Sequence, residues 1–318
     1  MAKHLLTLLD YTSNEIKLLL KASSVLKRIR RSGIKKAPLI RPFTAALIFE
    51  KPSTRTRASM SVAVYELGGY PAVYSFSELQ LSRGEPIKDT ARVLSRYHDL
   101  IAARVRRHRD LEELASFSSV PVVNMLSDMF HPLQALADAM TIMEYKGDLR
   151  GLRIAFVGDG RDNVLSSLMV ICSKLGMSIA VASPREYWPK EEFLEKLGRL
   201  DITLTEEPAE AVRGSDVVYT DVFVSMGQEH ERERRLRVFM PKYTVTLKLF
   251  ELAKEDAIFM HCLPARRGEE VEDAVIEHER SVVFEQAENR LHTAKAVLLY
   301  LLDQSTVRRL ACSSLKTL

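Results

Sequence analysis

Several short stretches carry side chains suited to holding an anion. "FEKPSTRTRASM" (Phe49 to Met60) follows an apolar run and offers hydroxyls from Ser53, Thr54 and Thr56. Arg55 and Arg57 add guanidinium forks that match phosphate oxygens. Pro52 and Ser53 can start a helix running to Leu67, ended by Gly68 and Gly69. A helix start presents free N–H groups and partial positive charge. The plainer alternative is a capped helix with surface arginines. This is not a Walker A loop, because the glycines and the Lys-Ser/Thr pair are missing. Arg104 ends a second apolar run. In "HPLQALAD", Pro132 suits the first helical position, so His131 stands at the cap and Gln134 in the first turn. A histidine there can donate to a carbonyl oxygen that gains negative charge.

A second group lies further along. Gly158-x-Gly160 resembles the start of a dinucleotide fingerprint, but Asn163 stands at its third glycine, and Ser183 and Pro184 replace the ribose-binding acid. Asn163 instead suits a small polar ligand. Asp221, Ser225 and Met226 follow another apolar run, and Cys262 follows a third. His261 beside Cys262 raises a thiolate nucleophile. As neighbours in a strand they should point to opposite faces, which argues against a Cys–His pair. No cluster of His, Cys, Asp and Glu residues looks like a metal site, so no metal is expected.

The elements that must position these residues alternate in type. Thr12 and Glu15 form a capping-box pattern ahead of Ile16, Leu19, Leu20, Leu26 and Ile29, with Gly33 just beyond. Strands are expected at 43–49, 71–76, 100–105 and 120–125, with a long helix from Pro132 to Lys146. Lys146 to Gly151 reads as a hinge. Strands follow at 153–158, 178–183, 202–205, 216–222, 258–263 and 281–286, then a helix over about Glu288 to Asp303. Such alternation predicts two α/β domains, each a parallel sheet covered by helices, with a cleft between them. The boundary falls at 147/148. Ligands in such folds sit beyond the carboxyl ends of the strands.

Composition narrows the function classes. The chain has 318 residues, 46% hydrophobic and 28% charged, as a soluble two-domain protein would. A net charge of +4 suits anionic small substrates and is too weak for nucleic acid. The basic clusters Leu26 to Lys36 and Arg104 to Arg109 lack interleaved aromatics and read as solvated faces. Three unpaired cysteines fit a reduced, cytoplasmic setting. The opening apolar run is short and broken by Asp10, a poor signal peptide, and no run reaches membrane-spanning length.

"STRTR", "HPLQ", "DVFVSMG", "HCLP" and "ENRLHTAKA" occur in that order. The set resembles the aspartate/ornithine carbamoyltransferase family, its ornithine-using branch more closely, over about Leu5 to Leu302. The resemblance implies a carbamoyl phosphate-binding domain (1–147) and an amino acid-binding domain (148–318), with the last helix packing back on the first. It implies that Ser53, Thr54, Arg55 and Thr56 hold carbamoyl phosphate, with Arg104, His131, Pro132, Leu133, Gln134 and Arg290 completing the pocket. Gln80 would reach the phosphate of a neighbouring subunit in a homotrimer or an assembly of trimers. Asn163, Asp221, Ser225 and Met226 would meet L-ornithine, and Cys262 and Leu263 would lie between the ligands. Arg104, His131, Asp221 and Cys262 would be the catalytic set, without cofactor, in arginine biosynthesis. An anionic Asp221 favours an acceptor with an ammonium group. Putrescine, N-acetylornithine and aspartate are the competing acceptors. Two departures stand out: Phe223 where the family loop carries tryptophan, and Asp162 where an Asn-Asn pair is usual. "STVRRLACSSLKTL" (Ser305 to Leu318) carries no family motif and is expected to fray.

Overall fold

The computed structural model describes residues 2–225 and 227–312. The chain divides into two compact units, one from residues up to Met140 and from Glu288 onward, the other Thr141–Ala287. Residues 141–147, assigned from sequence to the first domain, therefore fall in the second unit.

In the first unit β1 (Thr44–Phe49), β2 (Tyr70–Ser75), β3 (Leu100–Arg104) and β4 (Val122–Leu126) form a parallel sheet ordered β2-β1-β3-β4. Its helices are α1 (Ser13–Arg31), α2 (Thr54–Glu66), α3 (Ile87–Tyr97), α4 (His108–Phe117) and the start of α5 (Pro132–Lys146). Strands β1, β3 and β4 are buried almost throughout, as continuous apolar runs covered on both faces should be. Gly68 ends α2 with φ +89, and a Cβ there would lie 2.9 Å from Pro38, so only glycine fits this turn.

The second unit holds β5 (Arg153–Val157), β6 (Ser178–Ala182), β7 (Ile202–Thr205), β8 (Val217–Thr220) and β9 (Ile258–His261), all parallel and ordered β7-β6-β5-β8-β9. Its helices are α6 (Asn163–Leu175), α7 (Glu191–Lys196), α8 (Pro208–Val212), α9 (Arg232–Phe239), α10 (Leu247–Phe250) and α11 (Asp273–Ile276). Phe223, the replacement for tryptophan, is fully buried in this unit's core and stacks on Phe239 at 5.0 Å. Gly160 serves packing rather than phosphate: a Cβ would meet the Tyr187 carbonyl at 2.5 Å. Its amide donates to Ser183 Oγ at 3.0 Å, so the end of β6 braces this loop.

Two sequence expectations fail. Residues 281–286 are not a strand. Ser281 makes one bridge with Phe259, and α12 (Val283–Leu302) starts directly after. Burial at 282, 283, 286, 289 and 290 has helical spacing, which the local run of valine and phenylalanine conceals. Nor does the chain fray from Ser305. Gln304–Cys312 form a helix, α13, with Thr306 and Val307 buried. Asp303 starts it by accepting from the Ser305 amide at 3.0 Å and the Thr306 hydroxyl at 2.7 Å. Residues 313–318 lie outside the described residues.

Candidate active site

In the first sheet the strand order reverses between β1 and β3, which pair in parallel with Phe49 beside Arg104. Ligands in open parallel sheets bind at such a reversal. Ser53 caps α2, its Oγ accepting from the Thr56 amide at 3.4 Å. Thr54 is exposed, Arg55 half-buried and Thr56 buried, while Arg57 is exposed on the same turn. Arg290, from α12, is buried and forks between two of the expected residues. Its Nη2 donates to Thr56 Oγ1 at 3.0 Å and its Nη1 to Gln134 Oε1 at 2.9 Å. Gln134 Nε2 donates in turn to Asp138 Oδ1 at 2.9 Å.

His131 is buried at the start of α5, where its carbonyl accepts from the amides of Gln134 and Ala135. Burial lowers its pKa well below the ordinary histidine range, and the cations Arg290 and Arg104 lower it further. The ring is thus held neutral. Pro132 and Leu133 are buried beside it. Gln80, by contrast, is exposed on the short turn Gln80–Arg83, and among the described residues no hydrogen bond joins its side chain to this group.

The second sheet reverses between β5 and β8. Strand register places Thr220 beside His261, so the next residues, Asp221 and Cys262, emerge together. The Cys262 thiol donates to Asp221 Oδ2 at 3.2 Å, and Asp221 Oδ1 accepts from the Val222 amide at 2.7 Å. Burial raises the Asp221 pKa, while His261 opposes the rise. Asn163 opens α6, half-buried, and the preceding Asp162 caps that helix. Ser225 is half-buried, and its hydroxyl donates to Asp162 Oδ2 at 3.2 Å. Met226 lies outside the described residues.

The alternation argument for His261 and Cys262 does not hold, because β9 ends at His261. Donor atoms of Asp221, His261 and Cys262 lie within 4.8 Å of one another, a grouping that sequence spacing did not reveal. Hydrogen bonds already engage them. His261 Nδ1 accepts from the Leu263 amide at 2.9 Å, so Nε2–H faces Glu270 Oε1 at 3.1 Å. Leu263 sits at φ +56, a strained backbone region for a leucine, and this contact helps hold it there.

Arg235 was also missed from sequence. It looks like one more charge in "ERERRLRVF", yet it is buried, pairs with Asp159 and donates through Nε to the Phe223 carbonyl at 2.5 Å. It thereby ties the loop after β5 to the loop after β8.

Family models match both units. Residues 3–144 match the carbamoyl-P binding domain of aspartate/ornithine carbamoyltransferase, and residues 150–301 match its Asp/Orn binding domain. An ornithine carbamoyltransferase of Hyperthermus butylicus is 54% identical over 94% of this chain and 97% of that protein. One from Thermococcus kodakarensis is 50% identical over 93% of this chain and 95% of that protein. The solved ornithine carbamoyltransferase of Pyrococcus furiosus is 49% identical, with a TM-score of 0.89 over 94% of this chain and 96% of that chain. That of Thermus thermophilus is 41% identical, with a TM-score of 0.85 over 95% of this chain and 100% of that chain. The paired domain matches and this identity place the sequence: the chain belongs to the aspartate/ornithine carbamoyltransferase family.

Proposed function

We propose that the protein transfers the carbamoyl group of carbamoyl phosphate to the δ-amine of L-ornithine, giving L-citrulline and phosphate. The observation that carries this reading is the Arg290 fork on Thr56 and Gln134, beside the capped start of α2. It gathers cation, hydroxyl and amide groups at the reversal of the first sheet. Ser53, Thr54, Arg55 and Thr56 with Arg290 hold the phosphate, and Arg104, His131, Pro132, Leu133 and Gln134 enclose the carbamoyl group. Asn163, Asp221, Ser225 and Met226 take the amino acid, and Cys262 and Leu263 lie near its reactive end.

The chemistry follows from these groups. The neutral amine attacks the carbamoyl carbon, the carbonyl oxygen gains negative charge, and the C–O bond to phosphate breaks. The nitrogen loses a proton and the departing phosphate gains one, which balances the transfer. Thr56, Arg104 and neutral His131 are donors for the oxygen. Arg55, Arg290 and the helix start stabilise the departing phosphate. Free alkyl amines titrate near ~10, so a desolvating pocket that favours the neutral amine assists the attack.

Asp221 supports an acceptor bearing an ammonium group, which favours ornithine over aspartate. Asn163 offers an amide for the α-carboxylate that putrescine lacks. The exposed position of Gln80 suits a role toward a neighbouring subunit in a homotrimer or larger assembly. We also assign the enzyme to arginine biosynthesis in the cytoplasm. Three free cysteines support that compartment, and among the described residues no helix is long and apolar enough to cross a membrane.

The test is direct. Purified protein given carbamoyl phosphate and L-ornithine should form citrulline and phosphate in equal amounts, with weaker turnover of putrescine, N-acetylornithine and aspartate. Folded protein that releases no phosphate would overturn the reading, and preference for another acceptor would overturn the choice of ornithine.

A further inference from the structure

The basic run Arg104 to Arg109 reads from sequence as a solvated face, and Arg106, Arg107 and Arg109 are exposed. His108 is not. It opens α4, is only 6% exposed and sets its ring edge-on against Phe130, with ring centroids 5.2 Å apart. Its amide donates to Asp128 Oδ1 at 2.8 Å, and its Nδ1 lies 2.9 Å from Ser127 Oγ. Ser127, Asp128 and Phe130 belong to the loop after β4, which leads into His131. His108 stands on the loop that leaves β3 at Arg104. The β3–β4 register slips between Ala103 and Arg104, so the regular ladder does not itself set the spacing of the two loops.

Ser127 is the hub of its loop. Its amide donates to the Phe130 carbonyl at 3.0 Å, and its Oγ accepts from the amides of Phe130 at 3.2 Å and Met129 at 3.4 Å. A hydroxyl has two lone pairs, and these amides meet both. The hydroxyl proton then goes to an acceptor, and His108 Nδ1 at 2.9 Å is nearer than the Phe130 carbonyl at 3.4 Å. His108 therefore accepts through Nδ1 and carries its own proton on Nε2.

We propose that His108 is a positioning residue that, through Ser127, locks the loop after β4 to the loop after β3 and so fixes His131 relative to Arg104. This rests on the carbamoyl transfer proposed above, in which both residues donate to the carbonyl oxygen. Donors to a developing charge act best when their places are set in advance. The lock needs a neutral His108, because a proton on Nδ1 would meet the Ser127 proton and open the contact. Burial keeps the ring neutral. It lowers the pKa below the ordinary 6.5, against the opposing charges of Glu112 on its own helix, Asp128 on the facing loop and Asp10 of the turn Leu8–Asp10.

Two variants separate the acceptor from the bulk. In His108→Asn the side-chain oxygen falls where Nδ1 stands and accepts at every pH. In His108→Leu the space is filled and nothing accepts. At saturating ornithine, His108→Leu should lower kcat about tenfold or more, the scale of a misplaced catalytic group. KM for carbamoyl phosphate should stay within about twofold, since the start of α2 holds the phosphate. His108→Asn should recover most of the lost kcat. As pH falls below the ordinary histidine value, wild-type kcat should drop through an ionisation that His108→Asn lacks, a difference that a merely structural histidine would not produce. Ser127→Ala should match His108→Leu, and the double variant should lose no more than Ser127→Ala alone. An unchanged kcat in folded His108→Leu overturns the proposal, and so does an acid-side profile that is the same in wild type and His108→Asn. Should His108→Leu not fold, an unchanged kcat in Ser127→Ala overturns it. Wild-type protein that makes no citrulline overturns the transfer reaction itself, a separate outcome.

Discussion

At the scale of single residues, the phosphate site proposed above rests on charge-assisted contacts. Arg55→Ala should lower kcat/KM for carbamoyl phosphate by about two orders of magnitude, as expected when a donor to a developing anion is removed. Steady-state kinetics at saturating ornithine would show it. His131 makes a second case. Its pKa lies well below the ordinary value, so it is already neutral near pH 6.5 and stays so as pH rises. The rate of the carbamoyl phosphate-loaded enzyme should therefore show no histidine break near pH 6.5. His131→Gln, which keeps an N–H donor, should retain more activity than His131→Leu. These residues were legible because each stands just beyond an apolar run. Asp162–Ser225 and Asp159–Arg235 were not, because the partners lie 63 and 76 positions apart. Only the strand order brings them together.

Whole elements raise a different question, namely what holds α12 in register on its neighbours. Glu66 lies in the last turn of α2, where the helix dipole disfavours a carboxylate. It is buried there, paired with Lys295 of α12 and with Arg30 of α1. Thr56 and Glu66 thus pin α2 to α12 at both ends of α2, and the first pin is the Arg290 fork. Lys295→Met should cost about 3 kcal/mol in a urea titration, because it strips one partner from a buried carboxylate. Adding Glu66→Gln should recover part of that loss. The strands and most helices could be read from apolar periodicity. The misreading of 281–286 shows the limit: a short apolar run fits either period until its burial is seen. Asp303 with Ser305 and Thr306 was a legible cap, passed over because no family motif extends that far.

For the molecule as a whole, buried histidines set the acid side of stability. His292 is buried, and its pKa is lowered to about 4, chiefly by burial against the opposing contact with Glu288. Between pH 6.5 and 4 the unfolded chain binds a proton there that the folded chain refuses. Stability should therefore fall as pH drops through that window, by an amount on the order of 3 kcal/mol for this residue. Thermal unfolding from pH 7 to 4 should show the slope, and His292→Asn should flatten it. Glu15 adds a loss at lower pH. Lys3, Tyr300 and Thr12 hold its pKa down to about 2 despite some burial, so its contribution is present above pH 4.5 and fades toward 2.

The second unit is one unbroken stretch, Thr141–Ala287, set into a first unit whose chain resumes only at Glu288. During synthesis on the ribosome, the second unit has all of its residues before the first does. Arg290 and Lys295 emerge only after the whole of the second unit, so the fork on Thr56 and Gln134 and the buried partner of Glu66 wait for it. A nascent chain stopped before Glu288 should hold a folded second unit and an open first one. Such a chain should be protected from protease over Thr141–Ala287 and cut readily before it.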